Sequence, residues 1–278
     1  MSVKQYDSQE KRLDFLVKEL RRDSRRYGNI DIPEDEKEKR RLMRSLMNLR
    51  MPEPISEEFL QVQDQFLQQE AREKGIVSVS RLLTVKEAFG CDMDGAERMM
   101  LWQGDITSLA ADAIVNAANS QLLGCFVPCH GCIDNAIHSA AGVQLREACG
   151  RIMKKQGYEE PVGRAKITDA YNLPSKYVIH TVGPIIRGPL TDRDCRLLAD
   201  CYKSCLELAA GQKIESIAFC CISTGEFCFP PRRAAEIAVE TVRHFLSENA
   251  GPEKVIFNVF KDEDYGIYRE IFSGTDRS

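Results

Sequence analysis

The chain has 278 residues, a formal net charge of −4 and 43% hydrophobic residues, so it is long enough for one large or two modest domains with an apolar core. The acidic balance argues against a general nucleic-acid binder, whose affinity would come from a basic surface. No apolar run reaches the ~18 residues of a membrane span, so no membrane partner is expected. The charged first twenty residues contain no signal-like stretch. The eleven cysteines therefore predict a reducing, cytoplasmic setting.

Residues 1–95 are predicted to form a small helical N-terminal extension. Apolar residues recur there at helical spacing, and strand-like alternation is missing. Ser56 followed by two glutamates predicts a helix start, because a hydroxyl caps the first turn and acids favour the positive end of the helix dipole. We expect three or four helices. The mixed-charge run 34–44 favours a solvated helix face over a binding patch.

Residues 96–278 alternate short apolar runs with helical stretches, which predicts a three-layer α/β domain with a mostly parallel sheet. Strands are predicted at 99–102, 113–115, 177–179, 217–221 and 255–259, and helices at 134–155, 194–210, 232–248 and 264–272. The ligand crevice of such a sheet lies beyond the carboxyl ends of its strands. Asp105, Asn119, a cysteine-rich loop and Gly225 each follow a predicted strand, so we expect them to meet at one edge.

The cysteine-rich loop, GCFVPCHGCIDN at 124–135, holds four soft-metal ligands within eight positions. Zinc sites are closed by four protein ligands when structural and left open by three when catalytic. Cys125, His130 and Cys132 can form a three-ligand site from this one loop. Cys129 is the alternative fourth ligand, but adjacent side chains often diverge, so we expect only one of Cys129 and His130 to bind. The competing interpretation is a set of small buried thiols, and a disulfide is disfavoured in a reducing compartment.

Six motifs follow one another along the chain. They are GDIT at 104–107, DAIVNAAN at 112–119, DNAIHSAAG at 134–142, GRAKITDAYNLP at 163–174, IHTVGP at 179–184 and STGEFCFP at 223–230. In this order they resemble a macrodomain, an ADP-ribose-binding fold of three α/β/α layers around a mixed, mostly parallel sheet. Most macrodomains have a glycine-rich run where this chain has residues 125–132. That substitution, together with the helical extension, is similar to the zinc-dependent macrodomains, which are microbial ADP-ribosyl hydrolases.

The resemblance implies roles for residues near both ends of the ligand. Asp105 would accept a hydrogen bond from the adenine amine, with Ile106 also in the ligand site; the alternative for Asp105 is a cap of the turn at Thr107. Asn119 would bind ribose through its amide and belong to the catalytic set, or would simply be a turn residue. Asp134 would act on water: it would orient or deprotonate it, or anchor a metal-bound water. The alternative is that Asp134 only provides a favourable charge in the first turn of the helix.

The resemblance also implies a diphosphate loop. It consists of Ser223, Thr224, Gly225, Glu226 and Phe227. A glycine lets backbone amides approach phosphate closely, and the helix predicted to start near Pro231 adds partial positive charge. Phe227 would pack near the terminal ribose. Glu226 departs from the apolar residue common in the family, and its carboxylate would lie near the phosphates unless it points to solvent.

Together these features imply a zinc-dependent hydrolase that removes mono-ADP-ribose from modified protein side chains, with an ester-type Asp or Glu linkage favoured. Zn²⁺ is the expected cofactor, either polarising a ribose or ester oxygen or lowering the pKa of a bound water. The expected partner is an ADP-ribosylated protein, with a lipoyl-carrier protein modified by a sirtuin-like transferase as the candidate. The alternatives are a non-catalytic ADP-ribose reader, which has no need for an open metal site, and an O-acetyl-ADP-ribose deacetylase.

Overall fold

A computed structural model describes residues 6–24 and 26–274, and the centre of this part of the chain is a six-stranded sheet. Its strands are β2 (Met99–Gln103), β4 (Ala113–Ala118), β5 (Ala165–Asp169), β6 (Tyr177–Val182), β7 (Ser216–Phe219) and β8 (Lys254–Val259). They lie in the order β2-β8-β7-β4-β6-β5 and are parallel except for β5, which runs antiparallel to β6. The strands β1 (Val77–Ser78) and β3 (Leu109–Ala110) form a separate parallel pair. The predicted mixed, mostly parallel sheet is confirmed.

Helices cover both faces of this sheet. They are α4 (Val85–Phe89), α5 (Ile133–Ala141), α6 (Val143–Gln156), α7 (Asp192–Gly211), α8 (Pro231–Glu248) and α9 (Asp262–Ser273). On β6, the Nε2 atom of His180 lies 3.7 Å from the Sγ atom of Cys149 on α6, whereas the side chain of Thr181 lies near Cys201 on α7 and lowers the pKa of its thiol. Because successive strand residues point to opposite faces, α6 and α7 lie on opposite sides, as the predicted three layers require.

The N-terminal helices α1 (Gln9–Asp23), α2 (Glu36–Leu49) and α3 (Glu57–Lys74) pack around an apolar cluster of their own. Ser56 caps α3, as predicted, by accepting a hydrogen bond from the N–H of Phe59 at 3.2 Å. The cluster includes Val143 of α6, so the extension shares buried surface with the sheet domain. Burial of an apolar side chain such as that of valine or leucine stabilises the folded state by roughly 1.5–3 kcal/mol.

Two sequence expectations differ from the structure. The helix expected over 134–155 is broken at Gly142, where φ is +96°, a conformation that residues with a side chain rarely adopt. The strand β5 was not expected, because its sequence, AKITD, has no apolar run. Among the helices of the described residues, none combines the length and apolar composition that a bilayer crossing requires.

The charged run at the start of α2 is also more than a solvated face. Arg40 forms an ion pair with Glu70 of α3, and Arg44 donates to the Oδ1 atom of Asn135 on α5 at 2.7 Å. The expectation of a merely solvated surface was therefore wrong for these two arginines. Their partners are distant in sequence, so the charge pattern alone could not identify them.

Candidate functional site

The loops that follow β2, β4 and β7 lie at one edge of the sheet, since parallel strands end on the same side. Asp105 follows β2, Asn119 follows β4 and Ser223 follows β7. Three strand spacings separate β2 from β4 in the sheet order, which corresponds to about 14 Å. The three loops are therefore spread along one edge of the sheet, beyond the carboxyl ends of the strands, where open α/β sheets bind their ligands in a crevice.

Cys125, His130 and Cys132 come together at the β4 end of this crevice. Their candidate ligand atoms all lie within 4.8 Å of one another, and all three residues are half-buried. The Nδ1 atom of His130 is 3.7 Å from Cys125 Sγ. Two thiol groups and an imidazole at this separation fit a zinc ion with one position left open. Metal binding itself stays a prediction.

Cys129 points away from this cluster. Its φ angle is +52°, and its Sγ atom lies 3.3 Å from Ser45 Oγ on α2. Its Sγ atom is not among the ligand atoms that lie within 4.8 Å of one another in the cluster. The geometry thus favours the three-ligand set over a closed set of four.

Cys132 also starts the helix α5. Its Sγ atom accepts a hydrogen bond from the N–H of Asn135 at 3.4 Å. Burial raises the pKa of the Cys132 thiol to about 11; the Asn135 N–H lowers it, and the nearby Cys125 raises it. A metal that binds here must displace this proton, which is the usual coupling between thiolate ligation and deprotonation.

Asp134 lies next to the cysteine cluster in the first turn of α5 and is buried. Burial raises its pKa to about 6, against the lowering effect of the hydrogen bond from Asn116 and the charge of Arg146. Asn116 Nδ2 donates to Asp134 Oδ1 at 2.8 Å. No role was expected for Asn116, although an amide inside a buried strand indicates a polar partner.

Asn119 links the end of β4 to the cysteine loop. Its Nδ2 atom donates to the carbonyl of Gly124 at 3.2 Å and lies 3.5 Å from Asp134 Oδ2. Its Oδ1 atom accepts from the N–H of Gln121 at 3.0 Å, so the turn alternative is realised as well. Gly124 has a φ of +77°, and an added Cβ would lie 2.8 Å from the His138 ring. The loop can pass this ring only with glycine there.

The predicted diphosphate loop presents free backbone donors. Within the described residues, the N–H groups of Thr224, Gly225, Glu226 and Phe227 donate to no protein acceptor. The Ser223 hydroxyl is buried, and its Oγ atom has no hydrogen-bond partner among the described residues. The helix α8 begins just after the loop at Pro231, as predicted. Unpaired amides beside a helix N-terminus suit an anionic ligand.

Glu226 bridges the diphosphate loop and the cysteine loop. Its Oε1 atom lies 3.7 Å from the Nε2 atom of His130, while the side chain remains 73% exposed. The carboxylate therefore points toward the cysteine cluster. Because His130 Nδ1 faces Cys125, Glu226 is placed to hold the opposite ring nitrogen, in the manner of carboxylates that orient metal-binding histidines.

Asp105 serves as a cap in this structure and also meets the N-terminal extension. Its Oδ1 atom accepts from the N–H of Thr107 at 2.9 Å, and its Oδ2 atom pairs with Lys74 at the end of α3. Burial alone would raise the pKa of Asp105, but the hydrogen bonds from Lys74 and Thr107 hold it below its usual value. Ile106 has a buried side chain, so it can reach a ligand only through its backbone.

A second cluster, formed by His138, Cys149 and His180, lies in the core behind the site, with candidate ligand atoms within 4.8 Å of one another. Both ring nitrogens of His180 are already occupied, by Asn116 at 3.2 Å and Thr168 at 3.0 Å. Burial raises the pKa of the Cys149 thiol to about 12, and burial holds the pKa of His138 well below its usual value. This buried cluster of neutral groups is part of the core and does not reach the crevice.

Comparisons with known proteins agree with this architecture. A family model described as Macro domain matches residues 115–238. The structure of a Trypanosoma brucei macrodomain in complex with ADP-ribose is similar with a TM-score of 0.63 and 29% identity, covering 82% of this chain and 94% of that one. The Oceanobacillus iheyensis macrodomain with ADP gives a TM-score of 0.56 and 42% identity, covering 62% and 88%.

Two curated relatives match nearly the full length of the chain. A protein from Treponema medium is 53% identical over 266 residues, covering 96% of this chain and 100% of the relative. A protein from Staphylococcus aureus strain MRSA252 is 47% identical over 267 residues, covering 96% and 97%. The chain belongs to the macrodomain family. Both of these relatives are named protein-ADP-ribose hydrolase, and their alignments span the helical extension as well as the sheet domain.

Proposed function

We propose that this protein is a zinc-dependent hydrolase that removes mono-ADP-ribose from modified protein side chains. The observation that carries the proposal is the three-ligand cluster of Cys125, His130 and Cys132 beside the buried Asp134 in a macrodomain crevice. Relatives named protein-ADP-ribose hydrolase that match along almost the whole chain support hydrolysis. A reader module would have no use for a three-ligand metal site next to a buried carboxylate.

The crevice offers a separate group for each part of ADP-ribose. Asp105 at the β2 end would accept from the adenine amine, and the free amides of the 223–227 loop would bind the diphosphate. Asn119 and Phe227 would hold the terminal ribose at the β4 end. In this arrangement the anomeric carbon lies near the cysteine cluster and Asp134, whereas the adenine lies about three strand spacings away.

The bound Zn²⁺ would supply Lewis acidity, either to an oxygen of the ribose or ester or to a coordinated water. Asp134 would orient the attacking water and accept its proton, since it is a buried carboxylate held in place by Asn116. Glu226 would keep the ring of His130 oriented. Asn119 would fix the position of Asp134 relative to the start of the cysteine loop.

For the substrate, we propose an ester-type linkage to Asp or Glu. A lipoyl-carrier protein modified by a sirtuin-like transferase is the candidate partner that the family resemblance suggests. The direct test is release of ADP-ribose from proteins modified on acidic side chains, with and without a chelator. Release that stops with chelator and returns with Zn²⁺ supports the proposal. Tight binding without release favours a reader, and turnover of O-acetyl-ADP-ribose alone favours the deacetylase.

We expect about one zinc per chain in purified protein, because Cys125, His130 and Cys132 form a half-buried three-ligand cluster, whereas the second cluster of the described residues is fully buried. Elemental analysis measures this directly. Cys129→Ala should retain the metal, since Cys129 faces Ser45 and not the cluster. Near-zero zinc in carefully handled, chelator-free parent protein would contradict the metal site. Loss of zinc in Cys129→Ala would instead indicate a four-ligand shell and weaken the catalytic interpretation.

We expect Asp105→Ala to weaken ADP-ribose binding by ~1–3 kcal/mol, the cost of losing a hydrogen bond to a charged group. Isothermal titration calorimetry measures the change. Asp105→Asn is the matched variant, because an amide oxygen can still accept from the Thr107 N–H while the negative charge is removed. Weaker binding by Asp105→Asn at parent thermal stability would support the adenine contact. Unchanged affinity in Asp105→Ala would leave Asp105 as a turn cap only.

A further inference from the structure

The cysteine loop has little regular structure of its own. Between Asn119 and Cys132 its backbone forms few internal hydrogen bonds, among them the bond from the His130 N–H to the Val127 carbonyl at 3.2 Å. A loop with so few internal bonds does not fix its side chains by itself. The precision of a metal site depends on partners that hold the ligands from outside.

The helix α2 supplies such partners from one face. Asn48 Oδ1 accepts from the N–H of Cys129 at 2.9 Å, and Ser45 Oγ meets Cys129 Sγ. Arg44 Nη2 donates to the carbonyl of His130 at 3.3 Å. Positions 44, 45 and 48 fall on one side of a helix because they are separated by three and four residues. This face therefore contacts the segment that carries the predicted ligand His130.

Arg44 reaches the rest of the loop through Asn135. Its guanidinium donates to Asn135 Oδ1 at 2.7 Å and 3.2 Å, and Asn135 is fully buried. The Asn135 amide in turn donates to the carbonyl of Val127 at 2.9 Å, and its backbone N–H donates to Cys132 Sγ. Asn135 thus connects Arg44 to both the middle of the loop and one predicted ligand.

We infer that α2 is a positioning element of the metal loop, and that Arg44 acts through Asn135 and the His130 carbonyl to fix two of the three zinc ligands, His130 and Cys132. The inference rests on the zinc site of the proposed function. On this inference, the N-terminal extension helps to position the metal ligands. Outer partners of metal ligands typically change metal affinity by about 10–100-fold when removed, and we expect a loss in this range without Arg44.

The test compares Arg44→Ala with Arg40→Ala. Arg40 lies one turn earlier on the same helix and pairs with Glu36 and with Glu70 of α3. Among the described residues it forms no hydrogen bond or ion pair with the loop. Zinc affinity is measured by competition with a chromophoric chelator, and thermal stability is measured on the same samples. We expect Arg44→Ala to bind zinc about 10–100-fold more weakly and Arg40→Ala to bind it as the parent does.

Cobalt substitution adds a readout that general destabilisation does not change. The visible absorption of bound Co²⁺ reports ligand geometry, so Arg44→Ala should alter the spectrum and Arg40→Ala should preserve it. Arg44→Lys keeps the charge but not the forked donor; if Arg44→Ala does not fold, Arg44→Lys takes its place, with reduced zinc affinity expected. Parent-like affinity and spectrum in the Arg44 variant, or equal losses in Arg40→Ala, would overturn the inference. A parent that binds no zinc would overturn the proposed zinc site as well.

Discussion

Cys132→Ala and His130→Ala are expected to lower hydrolysis of protein-linked ADP-ribose by at least about a hundredfold, because each removes a ligand from a three-ligand shell whose metal stabilises transition-state charge. ADP-ribose affinity should fall much less, because the predicted diphosphate and adenine contacts, the 223–227 loop and Asp105, follow other strands and do not bind the metal. Single-turnover release of ADP-ribose and calorimetric binding, measured on the same preparations, separate the two effects.

The exposed Cys228 offers a matched control for this experiment, because it lies outside the cluster. Cys228→Ala should retain zinc and parent activity. Since Cys132 also caps α5, thermal stability must be checked for each variant, and His130→Ala provides the comparison without loss of the cap. A folded, zinc-free variant that binds ADP-ribose and hydrolyses at the parent rate would show that the metal has no part in the reaction.

Arg146→Met is expected to lower the free energy of unfolding by about 3 kcal/mol or more, because it leaves several buried acceptors without a donor. The guanidinium of Arg146 donates to five backbone carbonyl groups, those of Met47, Asn48, Arg50, Leu123 and Cys125. Three of these lie at or just beyond the end of α2, where carbonyls run out of helical partners; the Met47 carbonyl also accepts from the Arg50 N–H at 3.3 Å. Urea unfolding followed by circular dichroism measures the loss.

Arg151→Met is the control for this prediction. Arg151 lies on the same helix as Arg146, but its side chain is 63% exposed. It pairs with Glu147 one turn away and also interacts with Tyr171. Exposed pairs of this kind contribute about 0–1 kcal/mol, so the control should unfold close to the parent. Burial lowers the pKa of Arg146 only to about 10, and the group therefore stays charged at neutral pH. Equal stability of the two variants would contradict the role assigned to Arg146.

Much of the architecture could be predicted from local pattern. Apolar runs identified β2, β4, β6, β7 and β8, and their alternation with helices indicated a parallel sheet with loops gathered at one edge. The grouping of Cys125, His130 and Cys132 followed from their spacing in one loop. These features depend on residues that are close in sequence, so the local sequence pattern is enough to predict them.

What the sequence could not provide are contacts between distant segments. Arg44 and Asn135 are 91 residues apart, and Lys74 and Asp105 are 31 residues apart. Neither pair has a spacing that would identify it before the helices are packed. The break at Gly142 was missed because one glycine inside a helical pattern does not by itself predict a break. Its φ of +96°, which residues with a side chain rarely adopt, arises only in the folded chain.

Val143 belongs to the apolar cluster of the extension although it lies on α6 of the sheet domain. Three residues later, Arg146 donates to the end of α2. If recombination joined these helices to another macrodomain, that macrodomain would need an apolar residue at the position of Val143 and an arginine at the position of Arg146. Otherwise the joined surfaces would hold a gap and unpaired carbonyls. The extension and the domain it contacts are therefore expected to be inherited as one unit.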